Sequence, residues 1–224
     1  MQRHFHGLLG AAMRFTDRAE AGRALAARLT SYANRSDVVV LGLPRGGVPV
    51  AAEVARALAA PLDVLLVRKL GAPDQPELAI GAIAEDGVAL INEDVLRALG
   101  LGPEAVDRIA ARERPELERR LSAYRAGRPG LRVEGRIAIV VDDGLATGAS
   151  MEAACRTLAA RSVARLVVAV PVATREACDR LRTVAHEVIA VATPAPFYAV
   201  GAWYVDFSQT DDREVVDLLT GATR

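Results

Sequence analysis

Asp142 and Asp143 stand side by side directly after the apolar run at residues 136–141. Seven small or hydroxyl-rich positions follow, Gly144-Leu145-Ala146-Thr147-Gly148-Ala149-Ser150, and residues 151–160 then carry a helical pattern. A helix start reached through a small-residue loop offers free N–H groups and a positive dipole end to a phosphate, and Thr147 and Ser150 add hydroxyl donors. Two carboxylates beside such a cradle repel a phosphate unless the ligand also brings donors. A ribose 5-phosphate does so, because its 2- and 3-hydroxyls donate to carboxylates while the phosphate enters the loop. Aspartates and serines also cap helices and turns with no ligand at all. A single acid would be read that way, but two adjacent acids after a buried strand, ahead of a Thr-Gly-x-Ser loop, are read as a site.

Three further groups could share that chemistry. In Leu43-Pro44-Arg45-Gly46-Gly47 the glycines let backbone approach an oxyanion closely, and Arg45 can fork onto it with two hydrogen bonds; the alternative is an ordinary strand-to-helix turn with a surface arginine. Arg68-Lys69 closes the apolar run at residues 62–67. Of the 28 basic residues 27 are arginine, so Lys69 is the lone lysine; a compact ammonium on a flexible stem can follow a departing anion. The tail from Pro194 to Tyr204 holds four of the nine aromatic residues, Phe197, Tyr198, Trp203 and Tyr204, within eight positions. Rings there either stack on a planar ligand or pack the tail onto the core. Other phosphate motifs are missing: no G-x-x-x-x-G-K-S/T occurs, and Gly42, Gly46 and Gly47 do not fit G-x-G-x-x-G.

The elements that must position these groups follow from periodicity. Short continuous apolar runs at residues 38–41, 62–67, 136–141, 165–170 and 187–192 alternate with helical stretches at 17–33, 50–58 and 151–160. That predicts an α/β fold: an open, mainly parallel sheet with helices on both faces, whose ligands sit at the carboxyl ends of strands near a reversal of strand order. Lys69 is expected at the end of the second strand, on the same edge as the other loops. Residues 71–92 carry Pro73, Pro76 and an Asp86-Gly87 turn, and predict a mobile loop leading into a hairpin. Residues 103–127 predict a charged helix with a Glu116–Arg120 pair and a solvated face.

Composition narrows the class. With 224 residues, 51% apolar, and 28 acidic against 28 basic residues, the chain is globular and has no global field that would draw it to nucleic acid or an anionic membrane. Cys155 and Cys178 form no CxxC pair, which suits a reducing cytoplasm and argues against zinc. Residues 1–12 are expected to be an N-terminal extension, in which His4 and His6 are read as inert, and residues 13–224 one domain.

The stretch VVDDGLATGAS resembles the signature of the type I phosphoribosyltransferases. Leu43–Gly47 resembles the pyrophosphate loop of that family, in the Arg-Gly-Gly form of xanthine-guanine enzymes, and Arg68-Lys69 resembles the basic pair of orotate enzymes. The resemblance implies transfer of the phosphoribosyl group of phosphoribosyl pyrophosphate to a nitrogenous base, with Mg²⁺ bridging pyrophosphate and ribose oxygens. Lys69, Arg45, Asp142 and Asp143 would be catalytic. Pro44, Gly46, Gly47, Arg68, Gly144, Ala146, Thr147, Gly148, Ala149 and Ser150 would bind substrate, and Phe197 and Tyr198, in a hood at about 193–210, would meet the base. No direct metal ligand is implied: Mg²⁺ would be held mainly by substrate oxygens, near Asp142 and Asp143. The expected partners are phosphoribosyl pyrophosphate and a nucleobase-like acceptor, with a homodimer as one option and neither nucleic acid nor membrane. The helical insertion at about 93–128 departs from the family pattern. Two other readings stay open: a non-catalytic sensor of the same ligand, and a hydrolase using Glu85 or Asp86 to activate water, although a hairpin turn also accounts for those acids.

Overall fold

A computed structural model of the chain describes residues 14–85, 89–126 and 128–221. The expectations for residues 1–12, His4, His6 and the Asp86-Gly87 turn lie outside the described residues. Asp17 caps the first helix, α1 (Arg18–Ala26), by accepting the Glu20 amide at 2.7 Å. The apolar run that follows becomes β1 (Val38–Gly42), buried at every position, and α2 (Gly47–Leu58) starts directly from the glycine pair. Then come β2 (Leu62–Val64), β3 (Val67–Ala72), β4 (Gln75–Ala84) and β5 (Ala89–Ile91), followed by α3 (Glu93–Leu99) and α4 (Pro103–Arg125). The chain ends with β6 (Ile137–Val141), α5 (Ala149–Ala160), β7 (Arg165–Val172), α6 (Arg175–Leu181), β8 (Glu187–Ala192) and α7 (Asp212–Gly221).

Five strands form one parallel sheet in the order β2-β1-β6-β7-β8. Alternate residues of each strand feed opposite faces. Val39, Leu41, Ala138 and Val140 pack against Met151, Cys155 and Leu158 of α5 and Leu181 of α6. Val38, Val40, Ile137 and Ile139 pack against Leu25 of α1 and Val50, Val54 and Leu58 of α2. Burial on both faces is what continuous β-branched runs require. The α/β architecture is therefore as expected.

A second, antiparallel sheet, β3-β4-β5, corrects two expectations. The run at residues 62–67 is not one strand: Leu65 packs into the core under α5, Leu66 into a third core with Ile80, Leu117 and Tyr124, and the chain changes sheets between them. Lys69 consequently lies inside β3, opposite Ala82, not at the end of the second parallel strand. Residues 71–84 are not a long loop either, since β3 and β4 are joined at Pro73-Asp74. Position 76 lies where β5, which pairs only with residues 81–83, has no reach and where the β3 register shifts, so a proline there breaks no sheet. The hairpin expected between residues 79–83 and 88–91 is present as β4 and β5. The third core also takes Val106, Ala110, Leu117 and Tyr124 from α4 and Val215 and Leu219 from α7. No helix among the described residues is long and apolar enough to cross a membrane.

Candidate functional site

From the centre of the parallel sheet, β1 leads toward β2 on one side and β6 toward β7 on the other, which puts the reversal of strand order between β1 and β6. The loops leaving these two strands meet there. Leu43 N–H donates to the Val141 carbonyl at 2.9 Å, Gly47 N–H to the Leu43 carbonyl at 3.0 Å, and the Pro44–Arg45 peptide is cis. The contact between the loops leaves no room for side chains. A Cβ on Gly46 would stand 2.0 Å from Asp143 Oδ2, and one on Gly47 2.6 Å from the Val141 carbonyl oxygen. Both glycines are thus dictated by the approach of the Arg45 loop to the acid pair.

The cradle is built as its residue types suggest. Gly148 takes φ +74 at the start of α5, a conformation that glycine adopts without strain, between exposed Thr147, whose hydroxyl oxygen accepts the Ala149 N–H at 3.4 Å, and exposed Ser150. Neighbouring elements hold the loop. Leu145 N–H donates to the Val172 carbonyl, the Thr174 hydroxyl to the Ala146 carbonyl at 2.9 Å, and Arg180 to the Thr147 carbonyl at 3.1 Å. Gly144 lies apart from the cradle: it is buried where a Cβ would meet Val200 at 2.5 Å, so its smallness serves hood packing.

The two acids differ in surroundings. Asp142 borders a cleft of about 780 Å³, and its Oδ1 accepts the Asp143 amide at 2.9 Å. Among the described residues no cation pairs with it, and burial, then the adjacent Asp143 charge, push its carboxyl well above the usual range. Asp143 is turned away toward α1. Arg18 donates to its Oδ2 through Nε at 2.9 Å and places Nη2 at 2.9 Å from the same oxygen, while Nη1 donates to the Ser208 carbonyl. Burial raises the Asp143 carboxyl, and Arg18 offsets part of that rise.

Pro44, Asp142 and Ser150 border the cleft together with Arg68 and Lys69 of β3. Four sequence-predicted positions from three segments therefore meet one space with Lys69, although Lys69 arrives from the other sheet. Arg45 is held elsewhere, 3.8 Å from Asp212 at the start of α7. Asp212 also accepts the Tyr124 hydroxyl at 2.6 Å and Arg119 Nη1 at 2.9 Å, and these two partners hold its carboxyl below the usual range. Glu85 is bound into ion pairs with Arg125 and Arg161, which disfavours a water-activating role.

In the hood Phe197 stacks on Trp203, centroids 6.4 Å apart, and Tyr198 is 84% exposed. Neither borders the cleft. Tyr204 is buried instead, and its hydroxyl donates to the Asp143 carbonyl at 2.6 Å. Arg18, Tyr204 and Asp212 are the contributors that sequence reasoning missed. Arg18 and Asp212 sit in charged helix starts whose local pattern signals only solvent, and the aromatic cluster pointed to the tail without singling out Tyr204.

Residues 14–198 match the model of the phosphoribosyl transferase domain family. Two Mycobacterium tuberculosis proteins, MT0597 of strain CDC 1551 / Oshkosh and Rv0571c of strain H37Rv, both named as provisional phosphoribosyl transferases, are 52% identical over 210 residues. The match covers 94% of this chain and 47% of each of theirs, so the chain spans about half the length of these curated relatives. The crystal structure of TT1426 from Thermus thermophilus superposes with a TM-score of 0.86 at 48% identity, covering 93% of this chain and 99% of that one.

Proposed function

We propose, given that the chain belongs to the type I phosphoribosyl transferase family, that it moves the 5-phosphoribosyl group of phosphoribosyl pyrophosphate to a nitrogen of a nucleobase-like acceptor and releases pyrophosphate. The observation that carries this reading is the contact of Gly46 and Gly47 with the acid pair. It brings a candidate pyrophosphate loop against the acid pair, which the candidate phosphate cradle directly follows in the chain.

In the reaction the C1–O bond to pyrophosphate breaks as the C1–N bond forms. Positive charge grows on the sugar beside Asp142 while negative charge gathers on the leaving group near Arg68 and Lys69, which border the cleft, and Arg45 would have to leave Asp212 to join them. The described residues contain no cluster of three or more metal-binding side chains, but the cleft-facing carboxylate of Asp142 is a hard oxygen donor of the kind Mg²⁺ takes alongside substrate oxygens. Mg²⁺ held by Asp142 and the substrate would supply charge neutralisation to the pyrophosphate. Ala146 to Ser150 receive the 5-phosphate.

The test is to incubate the full chain with phosphoribosyl pyrophosphate, Mg²⁺ and a panel of bases. Pyrophosphate release that depends on an acceptor is expected. Release without any base would replace the proposal with a hydrolase, and binding without turnover would replace it with a sensor.

A further inference from the structure

We infer that Arg108 and Arg112 of α4 form an anion-binding wall of the cleft that takes pyrophosphate. Within the segment of α4 the arginines are 108, 112, 114, 119, 120 and 125. Arg119 and Arg120 pair with Glu116, and Arg125 with Asp63 and Glu85. Arg108 and Arg112 lie one helical turn apart on the stripe that borders the cleft, and no ion pair holds either among the described residues. Arg114 projects from another side of the helix and does not border the cleft.

Arg68 and Lys69 of β3 border the same cleft. Five cations, Arg68, Lys69, Arg108, Arg112 and Arg120, therefore border one concave space with two carboxylates among the described residues, Asp142 and Glu113, of which Glu113 is bound to Arg68 Nε at 2.8 Å, while Arg120 is paired with Glu116 outside the lining. Concave walls concentrate such a field, and a polyanion relieves it. A neutral heterocycle would not. The hood rings Phe197 and Tyr198 do not border this cleft, whereas Pro44 of the candidate pyrophosphate loop does. The charge and the location thus both select the diphosphate. The face expected from sequence to be solvated becomes a part of the ligand site, and the helical insertion acquires a reason to exist. Naming the anion as a leaving group rests on the proposed transfer reaction; its binding by these arginines does not.

Calorimetry on the full chain in one magnesium-containing buffer separates the two, with inorganic pyrophosphate and ribose 5-phosphate as probes. Arg108→Ala/Arg112→Ala removes two exposed side chains and should weaken pyrophosphate binding by about tenfold or more, the loss expected for charge-assisted hydrogen bonds. Ribose 5-phosphate affinity should stay within about twofold, and Arg114→Ala should leave both ligands unaffected. Failure of the wild type to bind pyrophosphate, an unchanged affinity in the double variant, or an equal loss in Arg114→Ala or for ribose 5-phosphate would overturn the inference. If no base supports turnover while pyrophosphate still binds through Arg108 and Arg112, the transferase reading fails and this one stands.

Discussion

Asp142 is held ionisable beside a second acid at the end of β6, with burial as the first cause of its raised carboxyl and the Asp143 charge as the next. Because its folded pKa lies above the unfolded value, the folded state binds more protons than the unfolded one. The stability linked to this group is therefore fully present below the unfolded pKa of about 4 and is lost as pH rises through the folded pKa. At neutral pH its charge burdens the fold. Asp142→Asn, measured without magnesium, should raise stability at pH 7 by about 1 kcal/mol, or roughly 2–4 °C in Tm for a chain of this size. The gap over the wild type should close as pH falls toward 4. The same variant should lose ribose 5-phosphate binding in calorimetry, because the amide offers the ribose hydroxyls no full negative charge. A variant that melts earlier at pH 7 and still binds would remove Asp142 from the site. Asp143 lacks this simplicity, since its oxygen is already taken by Arg18.

Among the elements, the small sheet and α4 reach the parallel sheet through a buried ionic clasp. Arg125 at the end of α4 lies 3.2 Å from Asp63 of β2 and 2.8 Å from Glu85 beyond β4, with all three side chains only 11–12% exposed. It also donates to the Val64 carbonyl. Arg125→Ala would leave buried Asp63 with no cation among the described residues and Glu85 with Arg161 alone, and denaturant melts should show a loss of about 3–5 kcal/mol; a loss below about 1 kcal/mol would mean that the clasp is not what fixes α4. This layer was the least legible part of the sequence. The five parallel strands could be read because each is a buried apolar run bounded by turns, and the acid pair and cradle because strand, acids, loop and helix are contiguous. The passage from β2 to β3 could not be read, since Leu65 and Leu66 keep the run apolar while the hydrogen-bonding partner changes. Nor could the cleft face of α4, whose buried positions Val106, Ala110, Leu117 and Tyr124 are sparse among charges, so that its arginines look like surface whichever way they point.

Across the whole molecule, the two ends of the described chain close over the acid pair. Phe15 N–H donates to the Trp203 carbonyl, and Val205 and Asp206 donate back to Phe15 and Thr16, so the hood is laced to the segment that leads into α1. Arg18 then joins three distant regions: it binds Asp143, donates to the Ser208 carbonyl, and lies 4.1 Å from the centroid of the Phe207 ring. Its role could be electrostatic, offsetting a buried carboxylate, or architectural, anchoring the hood, and a double-mutant cycle distinguishes them. Arg18→Met alone strands Asp143 and should cost about 3–5 kcal/mol. If the charge dominates, adding Asp143→Asn should recover most of that loss, with a coupling of about 2 kcal/mol or more. The penalty of Arg18→Met should likewise shrink as pH falls through the raised Asp143 pKa, where the stranded carboxyl takes up a proton. If Arg18 acts mainly through Ser208 and Phe207, the penalty will persist in the Asp143→Asn background and at low pH, and hydrogen exchange will quicken at residues 203–206. The geometry favours the first outcome for stability, since two of the three nitrogens of the guanidinium lie 2.9 Å from Asp143 Oδ2 and both side chains are at most 15% exposed.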